Sequence, residues 1–186
     1  MTLESLLESV PGYAKDLKLN FTSLLRQTEL TEQQSWGTLV ASAIAARNAQ
    51  LTDAVFAEAA QHLTSQAMEA ARAASAVMGM NNIYYRFLHL TTNPKYATLP
   101  ARLRMNVMRT HGVEQADFEL WCTAVSAING CATCVDAHEK KLREAGVTEE
   151  TLLAAIRIAA TVHALAAVFD TEYRGEVSVQ AHAAEA

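Results

Sequence analysis

The sequence predicts an all-α protein, and three observations support this. Apolar residues recur with the spacing of a helix face through most of the 186 residues, and no stretch alternates as a strand does. Turn-forming residues are scarce, with 7 glycines and 3 prolines. Apolar residues make up 51% of the chain, which is enough for a substantial core. We expect one domain over residues 1–186.

Seven helices follow from the apolar periodicity. In chain order they cover residues 13–25, 32–47, 52–61, 65–87, 114–128, 131–145 and 149–171. Three of the starts carry a capping signal, namely Thr31 with Gln34 as a capping box, Thr64, and Thr148 followed by two acids. Pro94 and Pro100 mark the one clearly irregular stretch, roughly residues 89–113.

Two parts of the chain resemble each other when one is shifted by 85 positions. Residues of about 31–88 then align with about 114–171, and the matched positions include Trp36 over Trp121, Thr38 over Thr123, Val40 over Val125 and Arg72 over Arg157. In the first part Gln34, Ala46, Ala49 and Asp53 stand where Glu119, Cys131, Cys134 and His138 stand in the second. We therefore expect two pseudo-symmetric helical halves, with one working site in the second half.

Charge and composition exclude several functions. The chain has 15 basic and 20 acidic residues, a net charge of −5, which disfavours an electrostatic nucleic-acid binder. The N-terminus lacks the basic segment and long apolar core of a signal peptide. The apolar run 154–169 is interrupted by Arg157 and His163 and is short for a membrane span. Three cysteines do not make a secreted disulfide framework. We expect a cytoplasmic protein with no nucleic-acid or membrane partner.

The candidate functional residues are Glu119, Cys131, Cys134 and His138. At about 100° per residue on a helix, the two cysteines and the histidine share one face. Gly130 follows an apolar helix and is suited to the positive φ found just past a helix end. A second helix then begins near Cys131, where free N–H groups and the helix dipole favour a thiolate.

These residue types fit together chemically. His138, one turn beyond Cys134, is placed to take a proton from that thiol. Glu119 is suited to hold the imidazole in the useful tautomer, provided that the angle between the two helices brings the side chains together. The pattern therefore predicts a dithiol pair that cycles between thiol and disulfide.

Two other interpretations of the same residues stay open. Cys131, Cys134 and His138 with Cys122 make a possible set of four zinc ligands, although three of them crowd one helix. Alternatively the cysteines are small buried residues beside an incidental histidine, which leaves Glu119 unexplained. A metal-binding or interaction module is therefore the alternative to a redox enzyme.

The motif resembles the active site of the alkylhydroperoxidase D (AhpD) family, within the carboxymuconolactone decarboxylase-like group. The matching pattern is Glu119, eleven residues, Cys131-x-x-Cys134, three residues, and His138. Segments 13–20, 36–39, 78–82 and 118–121 are similar to the family as well, so the resemblance covers nearly the whole chain.

The resemblance implies an all-helical homotrimer with peroxidase activity towards alkyl hydroperoxides. It also implies a disulfide reductase that recycles a partner peroxiredoxin, the alkyl hydroperoxide reductase catalytic subunit. Electrons are then expected from dihydrolipoamide on a lipoyl-bearing protein, which dihydrolipoamide dehydrogenase reduces with NADH; no bound cofactor or metal is implied.

The family pattern also assigns roles to the residues. By this resemblance Cys134 is the thiol whose proton leaves through His138 and Glu119, and Cys131 is its disulfide partner. Some family members carry a histidine immediately before the second cysteine. This chain has Thr133 there, which supplies no imidazole.

Overall fold

The computed structural model describes the backbone of residues 1–184 and the side chains of residues 1–173. Over this part of the chain the structure is helical, with no strand, which confirms the all-α prediction. The elements are α1 (Leu3–Glu8), a 3₁₀ turn (Gly12–Ala14), α2 (Lys15–Leu24), α3 (Glu32–Ala46), α4 (Ala49–Ala59), α5 (Ser65–Leu90), α6 (Lys95–Thr98), α7 (Val107–Thr110), α8 (Gln115–Ile128), α9 (Ala132–Glu144) and α10 (Glu149–Ala184).

Capping side chains set three helix starts where the sequence predicts them. Thr31 and Gln34 form the predicted capping box of α3. The hydroxyl oxygens of Thr64 and Thr148 accept the N–H groups three residues later, at the starts of α5 and α10.

Three predicted boundaries are wrong by three residues or more, and the first is the end of α5, which lies at Leu90 and not at Phe87. The helix predicted from residue 52 begins at Ala49, because the Asn48 side chain accepts the N–H of Leu51 at 2.8 Å and caps the earlier turn. The helix predicted to end at Thr171 continues to Ala184. Its predicted end rested on the apolar pattern, and no proline follows to stop the helix. The short α1 and the single turns α6 and α7 were not predicted.

A central helix pair, α3 and α8, forms the middle of the core. Helix α10 packs on both of them and on α2, α5 packs on both from another side, and α9 packs on α8 and α5. Gly37 on α3 allows the close approach, because a Cβ there would lie 2.2 Å from the Trp121 indole of α8.

The order of the long helices fits the proposed repeat. Helices α3, α4 and α5 occur in the same order as α8, α9 and α10, and the matched pair α3 and α8 pack on each other. The contact of α5 with α8 has a counterpart in that of α10 with α3. The internal repeat is our interpretation of this arrangement.

The apolar stretch of α10 is longer than the sequence analysis supposed. Glu149–Tyr173 is long and apolar enough to cross a membrane by length and composition. In the fold, more than half of the most apolar part of this segment is buried against protein. The residues that lie in the core are Ala154, Ala155, Ile158, Val162 and Leu165. Packing against α3 and α8 thus accounts for its apolar character.

Candidate active site

The turn between α8 and α9 places the first cysteine. Helix α8 ends at Ile128 with Asn129 as its C-cap, and Gly130 takes the positive φ of 66° that the sequence predicts. Cys131 is then the extended N-cap residue of α9, one residue before the helix proper. Its N–H donates to the carbonyl of Ser126 at 3.1 Å, which closes the turn.

Polar side chains from α5 hold this turn. Arg86 donates to the Asn129 carbonyl oxygen at 2.5 Å. The Asn129 amide donates to Asn82 Oδ1 at 2.9 Å, and Asn82 in turn donates to Ser126 Oγ at 2.9 Å. Because Asn82 and Ser126 are fully buried, this network fixes the backbone that carries Cys131.

Cys131 and Cys134 form a disulfide, with Cα atoms 5.3 Å apart. Cys131 is fully buried, whereas 6% of Cys134 is exposed to solvent. Cys134 is therefore the slightly more exposed of the two buried cysteines, and it lies in the first turn of α9, where the helix N-terminus favours an anion. Thr133, between the two cysteines, is exposed.

His138 lies on the buried face of α9 with Cys134 and Leu142, the three residues of this helix that are buried. The predicted shared face holds for Cys134 and His138, whereas Cys131, predicted in the first turn on the same face, precedes the helix as its extended N-cap. The ring nitrogen Nδ1 lies 2.5 Å from Glu119 Oε2, so the helices cross at the angle that brings this pair together. The other nitrogen, Nε2, lies 3.2 Å from the sulfur of Met78 on α5.

Glu119 on α8 is a buried carboxylate, 1% exposed. Its Oε1 accepts hydrogen bonds from Lys141 Nζ at 2.8 Å and from Gln115 Nε2 at 2.7 Å. Burial alone raises the pKa of this carboxyl, but the hydrogen bonds and charges of His138 and Lys141 outweigh it and lower the pKa to about 2. Glu119 is therefore ionised at neutral pH.

The third thiol, Cys122, is free and fully buried on α8, as expected for a small packed residue. Burial raises the pKa of the Cys122 thiol well above its usual value, and the charge of Glu119 raises it further. Among the side chains that the structure describes, no three His, Cys, Asp or Glu groups are arranged to hold a metal ion. The possible zinc set is thus not assembled in this disulfide form.

A surface groove of about 830 Å³ opens beside Glu119. Lys141, Gln115 and Glu119 form part of its wall, and Met105, Met108 and Arg109 from the irregular stretch and α7 form another part. The buried Glu119 thus lies directly behind the groove wall, next to the half-exposed Lys141.

The structure brings together all four residues predicted from the sequence. Three more side chains contact them, and none of the three was predicted as a site residue: Met78, Gln115 and Lys141. Gln115 stands four residues before Glu119 and Lys141 three after His138, so helical spacing was a signal for both. Met78 is 60 residues from His138, and no local pattern indicates it.

This arrangement is suited to move protons at a dithiol. Because Glu119 occupies Nδ1, Nε2 is the ring nitrogen that remains to accept or return a proton. Cys134 of the disulfide lies one turn from His138 on α9, and the ionised Glu119 holds the imidazole and lines the groove.

Comparison with known proteins gives a consistent result. Residues 94–171, which include all four candidate residues, match the Carboxymuconolactone decarboxylase family. A protein of Solibacter usitatus called alkyl hydroperoxide reductase AhpD is 67% identical over 172 residues, 92% of this chain and 97% of its own. Proteins of the same name from Acidobacterium capsulatum and Koribacter versatilis are 64% and 58% identical, covering 92% of this chain and 94% and 89% of their own.

Proposed function

Because this chain belongs to the alkyl hydroperoxide reductase AhpD family, within the carboxymuconolactone decarboxylase group, we propose that it is a thiol-dependent peroxidase and disulfide reductase. The observation that carries the proposal is the buried series of side chains at the α8–α9 turn. A disulfide between Cys131 and Cys134 lies beside His138, whose ring is held by the ionised Glu119.

The oxidative half of the reaction begins with both cysteines reduced. His138 takes the proton of Cys134, and the thiolate attacks the outer oxygen of the hydroperoxide, ROOH. The O–O bond breaks, Cys134 becomes a sulfenic acid, and the alkoxide leaves as ROH with a proton from the relay. The Cys131 thiol then attacks the sulfenic sulfur, forming the disulfide and releasing water.

The reductive half restores the two thiols. A dithiol donor, proposed to be dihydrolipoamide on a lipoyl-bearing protein, attacks the disulfide and forms a mixed disulfide. Its second thiol completes the exchange and leaves as lipoamide disulfide, which dihydrolipoamide dehydrogenase reduces with NADH. By the same exchange, the reduced Cys131 and Cys134 pair reduces the disulfide of a partner peroxiredoxin. A cytoplasmic location is part of this proposal.

Position supports Cys134 as the attacking sulfur. Cys134 lies on the face of α9 that carries His138, one turn away, and it is the more exposed of the two cysteines. Cys131, at the N-cap and fully buried, is suited to capture the sulfenic acid before further oxidation.

Assembly as a homotrimer is also proposed. Helix α5 exposes Ile83, Phe87 and Leu90 at helical spacing, and Phe87 contacts the ring of Tyr96 edge-on, with 5.3 Å between the ring centroids. A continuous apolar surface of this kind on a soluble chain marks an interaction site. The proposed occupant is another copy of the same chain.

Peroxide and thiol titrations test the proposed function. One equivalent of an alkyl hydroperoxide should remove two titratable thiols from the reduced protein, and dihydrolipoamide should restore both. Mass spectrometry should find Cys131 linked to Cys134. Survival of the Cys131 and Cys134 thiols after peroxide, or stoichiometric zinc in protein purified under reducing conditions, would instead support the metal-binding alternative.

The coupled assay completes this test. With lipoamide in catalytic amount, sustained NADH oxidation should require the protein, lipoamide, dihydrolipoamide dehydrogenase and peroxide together. A Cys131→Ser, Cys134→Ser double variant is the control and should give no NADH oxidation above the background of the other components.

A further inference from the structure

We propose that Lys141 is a positioning residue of this site. It holds Oε1 of Glu119 beside the groove, and so keeps the buried carboxylate charged and directed at His138. This inference rests on the proposed function, because it assigns the control of the same proton relay. It concerns a residue that does not touch the sulfurs.

Burial alone would favour the neutral form of Glu119, so the carboxylate needs partners to stay ionised. A carboxylate that is 1% exposed loses most of its hydration, and a buried charge needs partners. The His138 ring cannot be the permanent counter-charge, because it must be free to take the thiol proton. A second cation therefore has to balance the carboxylate.

The contacts divide the two oxygens of Glu119 between two tasks. Oε2 faces the ring of His138, whereas Oε1 accepts hydrogen bonds from Lys141 and Gln115. With both oxygens held, the carboxylate cannot rotate away from the imidazole. Gln115 supplies a neutral donor, so the positive charge at Oε1 comes from Lys141.

Lys141 reaches the carboxylate from the solvent side. Its side chain is 51% exposed, and it forms part of the groove wall with Gln115 and Met108. The ammonium group therefore lies between a buried anion and water. Because this side chain is not part of the core, its substitution should change charge without loss of the fold.

Other charged or titratable groups also face this region. His138 and Glu144 come from α9, Arg109 comes from α7, and Cys122 lies on α8 itself. Among the described contacts, Lys141 makes the only hydrogen bond from a cationic ammonium or guanidinium to Glu119. Removal of its charge should therefore raise the pKa of Glu119 from about 2, by about one to three units for an opposite charge at this range.

The experiment measures the carboxylate directly. Carboxyl-labelled glutamate in the oxidised protein is titrated by ¹³C NMR, with Glu119→Gln used to assign the signal. Lys141→Met should raise the pKa of Glu119, and Lys141→Arg should restore it. Lys140→Met is the matched control, because Lys140 is the neighbouring exposed lysine and lies 3.9 Å from Glu144 instead. Lys141→Gln serves if the methionine variant is poorly soluble.

Kinetics with the same variants give the second measurement. Peroxide consumption by the reduced Lys141→Met protein should fall about tenfold at acid pH, less than the loss expected for the base itself. The defect should shrink as pH rises, because Glu119 is then ionised without help. Lys141→Arg and Lys140→Met should follow the wild-type pH profile.

The outcomes separate this inference from the proposed function. An unchanged titration of Glu119 in Lys141→Met, or a defect equal at all pH values and shared by Lys141→Arg, overturns the role of Lys141. If the wild-type protein consumes no peroxide while Lys141→Met still shifts the Glu119 titration, the peroxidase proposal fails and the assignment of Lys141 to Glu119 stands.

Discussion

The Nε2 atom of His138 lies 3.2 Å from the sulfur of Met78, on the side of the ring opposite to Glu119. The nitrogen that remains for proton transfer is thus covered by a thioether in the disulfide form. Met78 is itself buried and receives the Ser126 hydroxyl at 3.5 Å, so this cover is part of the packed core. Both ring nitrogens of His138 therefore have a fixed neighbour while Cys131 and Cys134 are still joined as a disulfide.

Replacement of the imidazole tests whether His138 handles the proton. His138→Gln should slow peroxide consumption by about 10²–10⁴-fold, the usual contribution of a general base. Activity should recover in part as pH rises, because hydroxide then deprotonates Cys134 without the base. Stopped-flow measurement of thiol loss from pH 5 to 9 gives the profile. Equal inactivity at every pH would mean that His138 is structural or a metal ligand.

The two cysteines should respond differently to substitution. Cys134→Ser should abolish peroxidase turnover. Cys131→Ser should allow one attack and leave a sulfenic acid on Cys134, which dimedone traps for mass spectrometry. Cys122→Ser is the control and should keep wild-type turnover, because its buried thiol is not part of the relay. A trapped sulfenate on Cys131 in the Cys134→Ser protein would reverse the two roles.

Glu119 should make stability depend on pH in a defined window. Its pKa is about 2 in the folded chain against 4.5 for an ordinary glutamate. A lowered folded-state pKa gives stability that is fully present above the ordinary value and is lost as pH falls through the folded one. The free energy of unfolding of the wild type, relative to Glu119→Gln, should therefore fall between pH 4.5 and 2.

Urea unfolding of both oxidised proteins at several pH values measures this difference. Glu139→Gln is the control, because Glu139 forms an exposed ion pair with Arg143 and should show little change. A wild-type advantage that stays constant down to pH 2 would contradict the low pKa of Glu119.

The parts of the fold that were predictable rest on local patterns. Thr31 and Gln34 lie three residues apart, and their reciprocal hydrogen bonds depend on no distant residue. Gly130 is likewise a local signal for the positive φ at the end of α8. Asn48 was an equally local cap that the sequence analysis overlooked.

The site was predictable as a set of residues but not as a geometry. Cys134 and His138 share a face because they lie on one helix. The contact between Glu119 and His138 depends on the crossing of α8 and α9, which the packing of both helices on α5 helps to set. Met78 enters the site through the same packing, so nothing near His138 in sequence indicates it.

The apolar surface on α5 should hold copies of the chain together. Phe87→Lys places a charge on that surface and should shift the proposed trimer of 20.2 kDa chains towards monomer. Leu153→Lys is the matched control, because Leu153 is 55% exposed on α10 and Phe87 is 50% exposed. Sedimentation velocity at micromolar concentration measures the change. A monomeric wild type, or equal dissociation of both variants, would contradict this assignment of the surface.

The contact between Gly37 and Trp121 should be the least tolerant point of the central helix pair. A Cβ on Gly37 would lie 2.2 Å from the indole, so Gly37→Ala forces α3 and α8 apart and should destabilise the fold by about 1–3 kcal/mol. Gly79→Ala is the matched control, because Gly79 lies within α5 with no atom near its added Cβ. That change should stabilise the protein by about 0.5–1 kcal/mol through helix propensity. Urea unfolding of the oxidised proteins should therefore give opposite signs, and a loss of stability in both variants would show that close packing at Trp121 is not the cause.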